Sequence, residues 1–433
     1  MSLEMIGFLG ILAMFLLMFL RVPIAIAMAV PAFIGILYVR DWRVLSTAIE
    51  TIVWDHSFNY TLSTIPMFVL MGELLFVSGI SQELFATFRH WFGKLRGGLA
   101  MAAIGASAIF AAASGSSLAT TGTMGVISSR EMLNANYHKP LIGGSIVAGG
   151  TLGILIPPST MFIIYGMLTE QSIGKLLIAG ILPGILLTVL YILTVAVAVK
   201  INPNLAPVGE GSSWKERFVS LRSTGWILLL FALVIGGMYF GIFSPTEAAG
   251  VGAFGAFVIA LARRKLTFQK FIESMSRTLR TTGFLFAIIL AAFILNYFLA
   301  ITRVPMLLAN FLSETTLPPT MIFISIILMY ILLGAVMDSM AMVVVTIPIV
   351  LPVIEALGYD LIWFGVIIVI VVEMALISPP IGMNCFVLNG VAPELRLEEI
   401  FKGALWFMIP LVVLIVLLMI FPEIVLYLPS QMS

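Results

Sequence analysis

A single cysteine, Cys385, stands in 433 residues, so the chain forms no internal disulfide and no cysteine-based zinc centre. The three histidines, His56, His90 and His138, are too scattered to suggest a metal cluster. No GxxxxGK followed by Ser or Thr occurs, which excludes a phosphate-binding loop and ATP hydrolysis built on one. Charge is the scarcest resource: 10% of residues are Asp, Glu, Lys or Arg, against roughly a quarter in soluble proteins. Residues 97–129, 140–169, 223–246, 339–354 and 374–393 contain none at all. Several of these runs exceed the roughly 20 residues that cross a bilayer. The first apolar run, 3–20, lacks a basic leader and is followed by another span, so no cleavable signal is expected. What is abundant is apolar surface, 61% of residues with a mean hydropathy of +1.16. This is the composition of an all-α polytopic membrane protein. With a net charge of +1, nothing points to a nucleic-acid partner.

Breaks in the apolar pattern carry the functional signal. GGTLGILIPPST at 149–160 and VVEMALISPPIG at 371–382 place Pro157-Pro158 and Pro379-Pro380 at an offset of 222 residues. About forty residues before each lies a second interruption, ASGSSLATTGT at 113–123 and GAVMDSMAMVV at 334–344. Proline, glycine and serine break helices where lipid tolerates no free backbone, so such breaks must be buried in protein or line a cavity. Paired breaks in two halves of one chain mark a repeat-built secondary transporter.

The predicted first repeat covers 1–200, with scaffold spans in 1–82, a re-entrant hairpin at 98–128 and a broken helix at 141–169. A cytoplasmic linker, 201–222, reads as a tether. The second repeat covers 223–433, with spans in 225–262, an amphipathic arm at 263–282, a hairpin at 318–354 and a broken helix at 361–393. Crossings are expected near 3–20, 22–39, 65–82, 176–199, 225–243, 247–262, 283–301 and 404–428, plus the two broken helices. Placing both termini outside puts eighteen basic residues inside and four outside, the bias expected of cytoplasmic loops. The stretch 44–64 has no Lys or Arg, whereas 263–282 has six basic residues and one acid. Read as equivalent arms on opposite faces, they make the repeats inverted, the second arm facing anionic lipid.

A serine- and glycine-rich hairpin tip against an unwound Pro-Pro break offers hydroxyls and unpaired carbonyls, the oxygen ligands a hard cation takes. The first candidate sodium site is therefore Ser114, Ser116 and the carbonyls of Gly153, Ile156 and Pro158. The offset gives a second at Val336, Asp338, Ala375, Ser378 and Pro380. Taken alone, each serine reads as ordinary helix packing; the coincidence of two tips and two breaks carries the assignment. Asp338 lies in a charge-free surrounding, and a carboxylate at membrane depth is a functional candidate, either a sodium ligand or a proton carrier. Glu73 reads as the partner of a basic group at a packing face, and Glu373 as a second deep acid beside the break. Glu247 in SPTE reads as a helix cap. Gly250, Gly252 and Gly255 read as close helix packing. Ser117, Thr121, Thr151, Ser159, Met383 and Asn384 are placed in the vicinity of substrate. An anionic substrate finds no Lys or Arg inside either break; helix N-termini could serve, with Arg303 or Lys175 near the outer mouth.

The motifs AASGSSLATTGTMG, GGTLGILIPPS, SPTEAAG and EMALISPPIGMN resemble, in order, those of the large membrane subunit of tripartite ATP-independent periplasmic (TRAP) transporters. The resemblance spans nearly the whole chain. It implies an elevator-type, non-enzymatic secondary transporter of the bacterial inner membrane, importing organic acids such as C4-dicarboxylates or sialic acids with two or more sodium ions. It also implies a periplasmic substrate-binding protein and a small four-helix membrane subunit, expected here as a separate chain. A stand-alone ion or proton antiporter on the same inverted-repeat scaffold is the alternative.

Overall fold

A computed structural model describes the chain at all residues except 210, 314–316, 335–336 and 433, and without side chains at 223 and 309–313. Among the described residues there are helices and no strands, with one isolated antiparallel bridge between Arg96 and Val208. The first half runs α1 (Leu3–Phe19), α2 (Ile24–Val39), α3 (Trp42–Ser57), α4 (Thr64–Val77), α5 (Ile80–Phe92), α6 (Gly98–Ser114) and α7 (Ser117–Asn134). It continues through α8 (Lys139–Leu155), α9 (Thr160–Leu168), α10 (Ile173–Ala179) and α11 (Ile181–Ile201). The second half runs α12 (Trp214–Tyr239), α13 (Pro245–Ala262), α14 (Phe268–Ile301), α15 (Val304–Ser313), α16 (Pro319–Leu333) and α17 (Ser339–Ala356). It ends with α18 (Leu361–Ile377), α19 (Met383–Val391), α20 (Leu397–Ile420) and α21 (Glu423–Ser430). Among the described residues, six helices are long and apolar enough to cross a membrane, or up to eight if two bent pairs each count as one span. Helices α1 and α2, at 17 and 16 residues, rise only about 25 Å each, a little under a typical hydrocarbon core.

Helix starts follow local chemistry. Ser213 and Ser244 each close a reciprocal capping box with the glutamate three residues on, Glu216 and Glu247, and Pro245 occupies the first turn of α13. Glu247 is thus a cap, and its oxygen sits 2.8 Å from the Ser244 amide.

The two helices that carry the breaks form the centre. Every residue from Pro140 to Leu155 in α8, and from Trp363 to Ile377 in α18, is buried. Helix α8 is enclosed by α6, α7, α11 and α20. Glycines let α20 come close: a Cβ on Gly144 would lie 2.6 Å from the Gly403 carbonyl carbon. A second group, α1–α4 with α13 and α14, packs to one side, Gly252 of α13 fitting under Met71 of α4. Gly255 likewise fits under Leu230, whereas Gly250 faces open space.

Several segments differ from the sequence expectation. From Phe268 the arm 263–282 runs without interruption into the span 283–301 as one 34-residue helix, α14, because nothing between them lacks a backbone donor or breaks the turn. The span expected at 404–428 ends at Ile420, where Pro422 prevents continuation, and α21 is separate. The crossing expected at 65–82 ends at Val77 and α5 begins at Ile80; α5 beyond residue 82 and all of α15 lie in segments that had no assignment. The 201–222 linker is not a free tether. His138 donates its amide to the Leu205 carbonyl at 2.9 Å, Leu205 is buried, and α12 begins at Trp214.

Candidate functional site

Prolines decide the chemistry of the first break. Pro157 and Pro158 have no N–H, so the carbonyls of Gly153 and Ile154, four residues back, lose the donors that a continuous helix would supply. The chain bends by 43° between α8 and α9, and Ser159 restarts the helix by accepting from the Phe162 amide at 3.4 Å. The hairpin tip sits directly on this break. Gly115 turns the chain at φ 58°, and a Cβ there would lie 3.2 Å from the Pro158 carbonyl oxygen. A Cβ on Gly153 would lie 2.6 Å from the Ser116 carbonyl oxygen. Thr160 clasps the tip, its hydroxyl donating to the Gly115 carbonyl at 3.0 Å.

The tip hydroxyls are already engaged. Ser116 caps α7 by accepting from the Ala119 amide at 3.4 Å. Ser114 and Thr120 share a hydrogen bond of 2.6 Å, and Thr120 also donates to the Ser116 carbonyl at 2.9 Å. Ser114, Ser116, Gly153 and Pro158 are therefore brought together, with hydroxyl and carbonyl oxygens that suit a small hard cation. Ile156 ends α8 through its amide, which donates to Leu152, while its side chain packs over Gly184.

The second junction is built alike but not identically. Gly334 abuts Ala375, a Cβ there lying 3.2 Å from its Cα, so this tip also rests on its break. Asp338 is half-buried and caps α17: its Oδ1 accepts from the amides of Met340 at 2.9 Å and Ala341 at 3.1 Å. Ser378 donates its hydroxyl to the Met374 carbonyl at 2.6 Å, and its amide engages the Ala375 carbonyl at 3.1 Å. Val336 lies outside the described residues. Both Pro-Pro bonds are cis, but Pro157 and Pro158 are buried whereas Pro379 and Pro380 are exposed.

A cavity of about 350 Å³ opens against the first tip. Ser114, Gly115, Ser116, Thr123 and Thr160 form one wall; Gly72 and Glu73 of α4 with Arg277 and Thr281 of α14 form the other, and Met340 of the second tip closes an edge. Arg277 is the one cation among its lining residues and lies 3.7 Å from the Glu73 carboxylate. Arg303 and Lys175 do not line it. Arg277 does not stand out in the sequence because it is one of six basic residues in the arm. The signal was its helical register: Arg277, Thr281, Phe284 and Leu285 share one face if arm and span are one helix, and all four line the cavity.

The expected substrate neighbours divide. Ser117, Thr121, Thr151, Ser159 and Asn384 are buried behind the tip rather than on the cavity wall, and Met383 is half-buried at the start of α19. Thr151 is committed elsewhere, to the Ala148 carbonyl at 2.7 Å and the Tyr191 hydroxyl at 2.8 Å.

A family profile described as "Tripartite ATP-independent periplasmic transporter, DctM component" matches residues 11–424. The chain belongs to this family. It is 35% identical to the C4-dicarboxylate TRAP transporter large permease protein DctM of Pseudomonas aeruginosa, over 88% of this chain and 89% of that one. It is 31% identical to the sialic acid TRAP transporter large permease protein SiaM of Vibrio cholerae, over 86% and 87%. Among solved structures, the Alcanivorax borkumensis YdaH transporter superposes with a TM-score of 0.62 at 16% identity, covering 88% of this chain and 89% of the other, which shows a shared fold. As a DctM component, the protein is a multi-pass permease subunit of a tripartite system and not an enzyme.

Proposed function

We propose that this DctM component is a sodium-coupled importer of small organic anions in a bacterial inner membrane, with both termini periplasmic, working by an elevator movement. The cavity against the first tip carries the reading. It has the size for a small acid, hydroxyls from the tip on one wall, and on the other an arginine held by a single partner. A substrate carboxylate would take Arg277 from Glu73 and hydrogen-bond the tip. C4-dicarboxylates and sialic acids, named for the relatives above, both meet that requirement.

Two coupling sodium ions are assigned to the two junctions: one to Ser114, Ser116, Gly153, Ile156 and Pro158, the other to Val336, Asp338, Ala375, Ser378 and Pro380. An ion at a junction would tie tip to break and fix the cavity wall, so substrate and sodium would favour one another. The moving unit comprises the hairpins 98–128 and 318–354 with the broken helices 141–169 and 361–393, related as inverted repeats. The remaining scaffold, with Trp42, Trp54 and Trp226 exposed, offers a face to a separate small membrane subunit, while a periplasmic binding protein delivers substrate.

The test is uptake into proteoliposomes containing this chain, the small subunit and the binding protein, with labelled succinate or sialic acid. Uptake that requires all three and an inward sodium gradient is the expected result. Transport by this chain alone, driven by a proton gradient, would support the antiporter instead and overturn the reading.

A further inference from the structure

Among the described residues, Glu373 is the one acidic or basic side chain that is fully buried, at 1% exposure, and neither of its carboxylate oxygens has a hydrogen-bond partner. Its surroundings are polar but equally unmatched. Ser117, at 1% exposure, stands beside the carboxylate without closing a hydrogen bond to it. Thr121, one turn further along α7, is fully buried with its hydroxyl unpartnered, pressed against Gly150 of α8. Asn384 in the first turn of α19 is fully buried with both amide atoms unpartnered. Gly122 of α7 meets Val387 of α19, and Gly125 meets Leu388 and Val391, so one turn earlier Asn384 falls at the level of the Ser117–Thr121 turn of α7.

Unmatched buried polar atoms are uncommon, and four such side chains on the packed helices α7, α18 and α19 call for a missing partner. An isolated carboxylate in low dielectric is strongly disfavoured unless a proton or a bound positive charge neutralises it. Among the described residues no lysine or arginine is buried to do so. The remaining groups are two hydroxyls and an amide, neutral oxygen donors of the kind that complete the shell of a hard cation.

We propose that Glu373, Ser117, Thr121 and Asn384 form a further sodium site, separate from the two junctions and lying between α7, α18 and α19. It rests on the sodium-coupled reading above and adds a fixed negative charge that the first junction lacks. Because α7 begins at the first tip while α18 and α19 flank the second break, an ion here would join the two halves of the moving unit.

Equilibrium binding of radioactive sodium to the full-length chain in lipid nanodiscs tests this, in wild type, Glu373→Gln and the pair Ser117→Ala with Thr121→Val. Each variant is scored for folding by monodisperse elution. The expected result is one sodium ion fewer per chain at saturation in Glu373→Gln, and at least a tenfold weaker affinity for one ion in the hydroxyl pair. Should Glu373→Gln not fold, the hydroxyl pair decides alone. A wild type that binds no sodium overturns the coupled reading altogether. Wild-type binding with unchanged number and affinity in the folded variants overturns this site while leaving the junctions standing.

Discussion

Arg277 of α14 and Glu73 of α4 form an ion pair at 3.7 Å on the cavity wall that faces the first hairpin tip. The arginine side chain is 56% exposed and the glutamate 25%, so the pair is solvent-screened and weak in itself. Its importance lies in availability: a held but releasable guanidinium is what an incoming carboxylate needs.

Removing that guanidinium should therefore act on substrate rather than on stability. Arg277→Gln loses a charge-assisted hydrogen bond of about 1.5–3 kcal/mol, a rise in KM for uptake of about ten- to a hundredfold. Glu73→Gln should act oppositely, freeing Arg277 and lowering KM. Initial-rate uptake at saturating sodium measures both. An unchanged KM in Arg277→Gln places the substrate elsewhere.

The first junction predicts a second effect. Ser116→Ala removes the side-chain cap of α7, worth about 1 kcal/mol, and slackens the tip that Gly153 and Pro158 support. About fivefold more sodium should be needed for half-maximal uptake, with KM for substrate at saturating sodium little altered. Gly153→Ala should be harsher, because its Cβ would lie 2.6 Å from a backbone oxygen, which cannot rotate away as a side chain can. A sodium titration of uptake for each variant is the measurement. Wild-type titrations in both, at normal expression, remove this junction from coupling.

Much of this architecture is legible in sequence because the determinants are local. A proline lacks its donor wherever it stands, so both breaks are read directly from Pro157-Pro158 and Pro379-Pro380. SPTE announces the start of α13, since serine cap, proline and glutamate each act within one turn. The continuity of α14 was hidden because hydropathy changes between 282 and 283 while the backbone does not. The Arg277–Glu73 contact joins residues 204 positions apart, and nothing local encodes which of six basic side chains turns toward the cavity. The same holds for the level that Asn384 takes along α7, which depends on how α19 packs against it.

The linker offers a test remote from the site. Leu205 is buried where 202–206 packs beside the turn before α8, and His138 holds the Leu205 carbonyl. Leu205→Ala should destabilise by about 2–3 kcal/mol through the lost side chain and the cavity it leaves. Thermal unfolding of the purified protein should show a lower midpoint. A free tether, by contrast, would tolerate the change.

Asp338 separates structure from coupling through two substitutions. Its Oδ1 accepts from the amides of Met340 and Ala341, so part of its role is to start α17. Asparagine caps nearly as well as aspartate, because its carbonyl oxygen can accept the same bonds. Asp338→Asn therefore keeps the cap and removes the charge, whereas Asp338→Ala removes both. If the carboxylate is a sodium ligand, Asp338→Asn should fold normally and need at least tenfold more sodium for uptake. Asp338→Ala should add a loss of about 1 kcal/mol in stability through the missing cap. If the carboxylate serves only as a cap, Asp338→Asn should titrate with sodium like wild type and only Asp338→Ala should be impaired. A proton carrier would behave differently again: Asp338→Asn would keep its sodium titration and lose the pH dependence of uptake. The sodium titration of Asp338→Asn thus decides whether this residue couples transport or merely shapes the helix that follows it.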